Sequence, residues 1–183
     1  RPSEFHLITP KLVVKEGAKL KAGDIIFYSK AEEKIKFVSP VSGTVQKIGR
    51  GAKRVITEIV IEADQKDDYL DHGVASIVSM DENEIKNHLL ATGCWPFIKQ
   101  RPYDIIANPD IKPKAIFVSA FSTAPLAADF DFTLMGKEKE LQAAVSAVSK
   151  LTDGALNVGV GKNSKSIFEG LKDISVLTVT GIH

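Results

Sequence analysis

Hydrophobic and polar positions change rhythm twice along this chain. Up to residue 66 the apolar runs are short and cut by turn signals. Lys11–Val14 is a β-prone run broken by Glu16-Gly17, and Leu20–Tyr28 is interrupted at Gly23-Asp24 before resuming as Ile25-Ile26-Phe27-Tyr28. Lys34–Val38 alternates charged and apolar residues, the period of a half-buried strand. Ser39-Pro40 ends it, and Ser42-Gly43 turns the chain into Thr44–Ile48. Gly49 and Gly51 bracket the next turn, and Arg54–Glu62 is mostly β-branched. Strands of this kind predict a small all-β barrel or sandwich over residues 1–66.

From residue 67 to 113 the pattern is helical and then proline-broken. Ser79-Met80-Asp81-Glu82 fits a Ser-x-x-Glu capping box and predicts a helix over residues 80–92. Ile85, Leu89 and Thr92 follow at helical spacing with Leu90 beside them, and Gly93 is the stop. In the apolar cluster Cys94-Trp95-Pro96-Phe97-Ile98 the cysteine is expected to pack as a core thiol. Pro102, Pro109 and Pro113 mark an extended linker. Residues 114–183 alternate strands and helices. Lys114–Ala120 is a continuous apolar run, expected to be a buried parallel strand. Lys137–Leu151 is an amphipathic helix with Leu141, Val145, Val148 and Leu151 on one stripe. Ala155–Val160 and Ile174–Thr180 are further strands, separated by a short helix carrying Ile167, Phe168 and Leu171. This β-α-β-α-β order implies right-handed parallel crossovers in a Rossmann-like α/β layer.

Composition excludes two classes. Of 183 residues 44% are hydrophobic and the net charge is +1, which rules out a disordered chain. No apolar stretch approaches the roughly 20 residues of a membrane span. The single cysteine, Cys94, leaves no disulfide framework and no cysteine-based metal site, and fits a reducing compartment. The chain opens on Arg1 with no signal-peptide pattern and closes within a strand-to-turn passage, so it is expected to be a fragment of a longer protein.

The near-zero charge conceals an asymmetry. Residues 1–54 hold 12 Lys and Arg against 5 Asp and Glu, residues 55–110 hold 4 against 11, and residues 111–183 hold 8 against 7. A basic surface beside an acidic one can be a solvated face or a docking surface for an acidic partner. The Arg-Gly-Ala-Lys-Arg turn makes Arg50, Lys53 and Arg54 the partner-docking candidates. Nucleic acid is not expected, because the basic residues lack aromatic interleaving and any nucleic-acid motif.

No residue pattern predicts a catalytic centre. Cys94 has no activating base in a recognisable motif among His6, His72, His88 and His183, and His88 is expected to be structural or exposed. In an α/β layer ligands bind past the carboxyl ends of the strands, here Ser119–Pro125 and Gly159-Val160-Gly161-Lys162. The second segment could offer N–H groups and a lysine to a phosphate. Asn163 and Ser164 break both phosphate-loop spacings, so an ordinary strand-to-helix turn is expected.

Three motifs carry a resemblance. Val14-Lys15-Glu16-Gly17, Leu20 through Ile26 and Ser39-Pro40-Val41-Ser42-Gly43-Thr44-Val45 resemble the biotinyl/lipoyl-type domain, a barrel-sandwich hybrid. Gly17 and Gly23 are expected at positive φ, and Gly43 where the chain bends beside a facing strand. The cofactor-bearing lysine of such domains sits in a hairpin within Asp-Lys-Ala or Met-Lys-Met. Here the hairpin reads Tyr28-Ser29-Lys30-Ala31, so Lys30 is expected to be a plain exposed lysine. The expected fold class is therefore α+β: a biotinyl/lipoyl-like barrel-sandwich-hybrid β module (1–66), a helical connector (67–113) and a Rossmann-like α/β layer (114–183).

Further features come in order along the chain: Ile48 through Arg54 before Val60-Ile61-Glu62, Gly93-Cys94-Trp95, Arg101-Pro102-Tyr103, Ala115 through Asp129, Leu151-Thr152-Asp153-Gly154 and Thr180-Gly181-Ile182-His183. Together they resemble the NqrA family of the bacterial Na+-translocating NADH:quinone oxidoreductase. The resemblance implies a peripheral subunit on the cytoplasmic side of the inner membrane, with other subunits of the complex as partners and a role in quinone interaction. It also implies a complex that uses NADH, flavins, an iron–sulfur centre and quinone to export sodium, with no cofactor in this chain. Catalytic and metal residues are accordingly expected to lie elsewhere. Alternatives are a relative of the C component of the Rnf complex, a flavin- or nucleotide-binding domain, and a lipoyl- or biotin-type carrier.

Overall fold

The computed structural model describes residues 1–73, 76–162 and 166–180. The Asn163 and Ser164 positions and the closing Gly181-Ile182-His183 lie outside the described residues. The chain forms two compact units: residues 1–74 with 86–110, and residues 75–85 with 111–183.

The first unit holds two three-stranded antiparallel sheets. Strands β1 (Pro10–Leu12), β3 (Ile25–Ser29) and β4 (Lys36–Val38) form one, in the order β1-β3-β4. Strands β2 (Lys19–Leu20), β5 (Gly43–Arg50) and β6 (Ile56–Ala63) form the other, in the order β2-β5-β6. Alternation works as expected: Ile26, Phe27, Phe37, Val45 and Ile56 are buried, and the Phe27 and Phe37 rings stack at 4.3 Å. The motifs quoted for the barrel-sandwich hybrid meet in space. Gly23, at φ +95°, donates its N–H to the Ser39 carbonyl at 2.8 Å, and the Ser39 N–H returns to the Asp24 carbonyl at 2.8 Å. Gly43 lies so close to β6 that a Cβ there would collide with the Glu62 carbonyl.

Helix α1 (Glu82–Ala91) begins two residues later than expected, and its cap is not Ser79. Asp81 and Glu84 make the capping box. The Glu84 N–H donates to Asp81 Oδ1 and the Asp81 N–H to Glu84 Oε2, each at 2.8 Å. Ser79 instead closes a local turn on the Ser76 carbonyl. Gly93, at φ +73°, ends the helix as expected. The proline-rich stretch carries a two-strand hairpin, β7 (Lys99–Gln100) and β8 (Ile105–Ile106). Cys94 corrects the expectation of a core thiol, because it is exposed. The single helical turn Trp95–Phe97 sends Trp95 inward, where its indole N–H donates to the Ala107 carbonyl at 2.8 Å, and leaves the preceding residue outside.

The second unit is a three-stranded parallel sheet in the order β11-β10-β9, from β9 (Ile116–Ser119), β10 (Leu156–Gly161) and β11 (Ser175–Val179). Helices α2 (Phe130–Thr133) and α3 (Glu138–Ser149) connect β9 to β10, and a single 3-10 turn at Ile167–Gly170 stands where a short helix was expected. The core cluster is Ala120, Val158, Val160 and Phe168, flanked by Leu134, Leu141 and Leu171. Strand β9 corrects a second expectation. It is a sheet edge, and Phe117 is 72% exposed rather than buried.

Candidate functional site

The docking candidates Arg50, Lys53 and Arg54 all fall at the tip of the β5–β6 hairpin. The strands pair from Gly43↔Ala63 to Arg50↔Ile56, with register shifts between Val45 and Lys47 and between Gly49 and Arg50. Bulges of this kind bend and twist a ribbon. Beyond the last pair, residues 51–55 close a tight turn: the Gly51 N–H donates to the Val55 carbonyl at 2.8 Å and the Arg54 N–H to the Gly51 carbonyl at 3.2 Å. Lys53 (φ 52°) and Arg54 (φ 61°) are both in the left-handed region. For non-glycine residues that conformation costs about 1–3 kcal/mol each, and it is found where surrounding bonds hold it in place.

Every residue from Arg50 to Val55 is exposed. The nearby acids are already engaged. Glu58 pairs with Lys47 at 3.0 Å, and the hydrogen bond and charge of Lys47 hold its carboxyl below the ordinary range. Glu16 accepts the Ile48 N–H at 2.7 Å, and Glu62 accepts from the Gln46 amide. Among the described residues no ion pair involves Arg50, Lys53 or Arg54. The turn thus presents three uncompensated cations with an exposed Val55 beside them.

The loops at the carboxyl end of the parallel sheet are arranged differently. The 3-10 turn after β10 is capped from within the chain. Asp131 Oδ1 accepts the Ser166 hydroxyl and the Ile167 N–H, both at 2.9 Å. A carboxylate of the chain's own therefore stands where an anion at this turn would sit. Asp131 escaped sequence reasoning because its partners lie 35 and 36 residues away. In the preceding loop Asp129 caps α2 by accepting the Phe132 N–H at 3.1 Å, and the Ser119 hydroxyl donates to the Phe121 carbonyl at 3.0 Å.

Within the second unit two lysines hold the chain around the start of α1, and nothing local in the sequence signalled either. Lys150 Nζ donates to the carbonyls of Ile77, Val78 and Met80 at 2.7, 3.1 and 2.8 Å. Lys112 Nζ sits 2.6 Å from Asp153 and 2.7 Å from Glu82, and its hydrogen bonds to Asp153 and Glu82 raise its pKa above the ordinary value.

Other candidate positions stay apart. His6 and His72 are exposed, and the His72 and His88 rings stand edge to face at 6.4 Å. No group of three or more His, Cys, Asp or Glu able to hold a metal occurs among the described residues. Lys30 is exposed at the start of the β3–β4 turn, whereas Lys34 in the same turn pairs with Asp110 at 3.0 Å. No helix among the described residues is long and apolar enough to cross a membrane.

Comparison with known proteins accounts for both units. Residues 1–64 match the family model described as the NqrA N-terminal barrel-sandwich hybrid domain, and residues 80–183 match that of the NqrA second alpha/beta domain. Among curated relatives, the A subunit of the Na(+)-translocating NADH-quinone reductase from Marinomonas sp. is 31% identical over 98% of this chain and 40% of its own length. Its counterpart from Saccharophagus degradans is 30% identical over 98% of this chain and 41% of its own length. That from Yersinia pseudotuberculosis is 30% identical over 85% and 35%. The chain thus spans about two fifths of the length of these relatives. With both domain models matched in order and these relatives aligned along almost its whole length, the chain belongs to the NqrA family of the Na(+)-translocating NADH-quinone reductase.

Proposed function

We propose that this chain is the front part of a peripheral, non-catalytic scaffold subunit of a Na+-translocating NADH:quinone reductase, on the cytoplasmic side of the inner membrane. The β5–β6 hairpin tip is its docking point for another subunit of the complex. The observation that carries the docking reading is the trio Arg50, Lys53 and Arg54. All three are exposed and without an ion pair among the described residues, and two sit in left-handed backbone conformations. Three adjacent cations on a turn held by its own backbone bonds are set to meet an acidic surface without reorganising. The family assignment favours this reading over a relative of the Rnf C component. The flavin, iron–sulfur and sodium chemistry belongs to the other subunits, and contact with quinone is a role of the full-length protein.

The test is a charge reversal, Arg50→Glu with Lys53→Glu and Arg54→Glu, in the full-length protein expressed with its complex. The complex is purified from native membranes at increasing salt. The reading expects the variant to fold and to be lost from the complex at lower ionic strength than the wild type, since exposed charges are screened within about 10 Å at 0.1 M salt. Retention at normal yield and salt resistance would sink it. Photoreactive quinone labelling of the complex tests the quinone contact, and an NqrA chain that stays unlabelled while other subunits are labelled rejects that part.

A further inference from the structure

The described helices of the second unit lie against one face of its parallel sheet. Side chains of in-register residues on neighbouring strands share a face. Val118 and Val158 are in register and pack with the helices, where Val158 is fully buried, and Val176 shares their face at the sheet edge, where it is 38% exposed. Phe117 pairs with Asn157, Leu177 with Gly159 and Val179 with Gly161, and these lie on the opposite face. That face is open: Phe117 is 72% and Leu177 43% exposed.

Its relief is also specific. On this face the central strand presents Asn157 beside Phe117 and then glycine at positions 159 and 161, with Gly159 flanked by Ser119 on one edge strand and Leu177 on the other. The chain's own Val179 and Phe121 already reach over these glycines: a Cβ at Gly159 would stand 3.6 Å from Val179, and one at Gly161 3.7 Å from the Phe121 ring.

Topology explains why the described helices share one face. The strands are added in one direction, β9 to β10 to β11. Right-handed crossovers in one direction place every connection on the same side of the sheet. A right-handed crossover from β11 to the free edge of β9 must pass over the other side, and parallel sheets are covered on both faces when complete. The length of the relatives supplies the material. This chain matches only about two fifths of each, and the matched models are the N-terminal and the second domain.

We propose that in the full-length protein the segment following this second domain makes that crossover. It lays an apolar helix over the face that carries Phe117 and Leu177.

The experiment uses the purified full-length protein. Hydroxyl-radical footprinting of the wild type compares Phe117 with Phe97 and Phe27, which are 77% and 5% exposed here. The expected result is loss of oxidation at Phe117 and Leu177 to the level of Phe27. Oxidation of Phe117 at the rate of Phe97 overturns the proposal. Benzoylphenylalanine at position 117 then identifies the occupant. An intrachain cross-link to a peptide beyond residue 183 supports the proposal. A cross-link to a second copy, to residues 1–110, or none at all overturns it. Footprinting of the unmodified protein keeps the test independent of whether the bulkier ring is accommodated.

Discussion

Replacing Asp131 with alanine separates a self-capped turn from an open anion site. One carboxylate oxygen accepts the Ser166 hydroxyl and the Ile167 N–H at 2.9 Å each, and Ser166 is itself buried. A hydrogen bond to a charged group contributes about 1.5–3 kcal/mol. The two bonds share one acceptor atom, so their loss is less than the sum. The expected cost of Asp131→Ala is about 2–3 kcal/mol, because a buried hydroxyl and the first N–H of the turn lose their acceptor together. Asp131→Asn keeps an oxygen in place and should cost about 1 kcal/mol. The readout is native-state hydrogen exchange at the Val158 and Val160 amides of the central strand, since Phe168 of the capped turn packs in the same core cluster. At 1.4 kcal/mol per factor of ten, the alanine variant should exchange there roughly 30- to 150-fold faster than wild type. The asparagine variant should lie between the two. Exchange within about threefold of wild type in both variants, a difference under 1 kcal/mol, would refute the assignment of Asp131 as the acceptor that holds this turn in place.

Other consequences can be measured on the same chain. Lys150→Met keeps the aliphatic stem but removes three donors to the carbonyls of residues 77, 78 and 80. It should destabilise the second unit by about 2–3 kcal/mol and speed proteolysis near residues 77–80, whereas an unchanged cleavage rate would deny the anchor. Asp81→Ala should cost about 1 kcal/mol through the lost helix cap, with Ser79→Ala near neutral, and a urea titration that ranks them the other way would restore Ser79 as the cap. Asp64 has its carboxyl held below the ordinary value of 3.8, first by the Ser42 hydroxyl at 2.6 Å and then by the Lys66 N–H. Its stabilising contribution is present above 3.8 and lost as pH falls through the lower folded value. Ser42→Ala should therefore move the Asp64 titration upward in an NMR experiment, and no movement would contradict the assigned cause. Lys112 behaves oppositely. Its raised pKa keeps the bonds to Asp153 and Glu82 intact below 10.5, and they are lost as pH rises through the folded value. Lys112→Gln should flatten the alkaline limb of the stability curve measured by urea titration.

The strands of the first unit were legible because their signal is local. The alternation in Lys34–Val38, the breaks at Gly23-Asp24 and Ser39-Pro40, and the glycine stops each act within a few residues. Helix α3 was legible from its apolar stripe for the same reason: Val145 is buried, Leu141 and Val148 are half-buried, and Leu151 is buried just past the helix end. The misreadings share a different cause. Cys94 looked like core because its neighbours are apolar, yet one helical turn puts Trp95 in and Cys94 out. Phe117 looked buried because its run is continuous, but a run records strand propensity and not whether a strand lies at the sheet edge. Ser79 and Asp81 both fit a cap two residues apart, and only the geometry of Glu84 distinguishes them. Lys112, Asp131 and Lys150 act on partners 30 to 73 residues away, which no local pattern encodes. Of the docking candidates, the sequence supplied the charges. The left-handed backbone at Lys53 and Arg54 came only from the structure.

The docking reading is tested most directly by placing a photoreactive side chain at position 53 of the full-length protein, then irradiating native membranes that contain the assembled reductase. The hairpin tip should form one predominant adduct with another subunit of the same complex, weakened as salt rises. An assembled complex in which position 53 forms no adduct with any other subunit would contradict it.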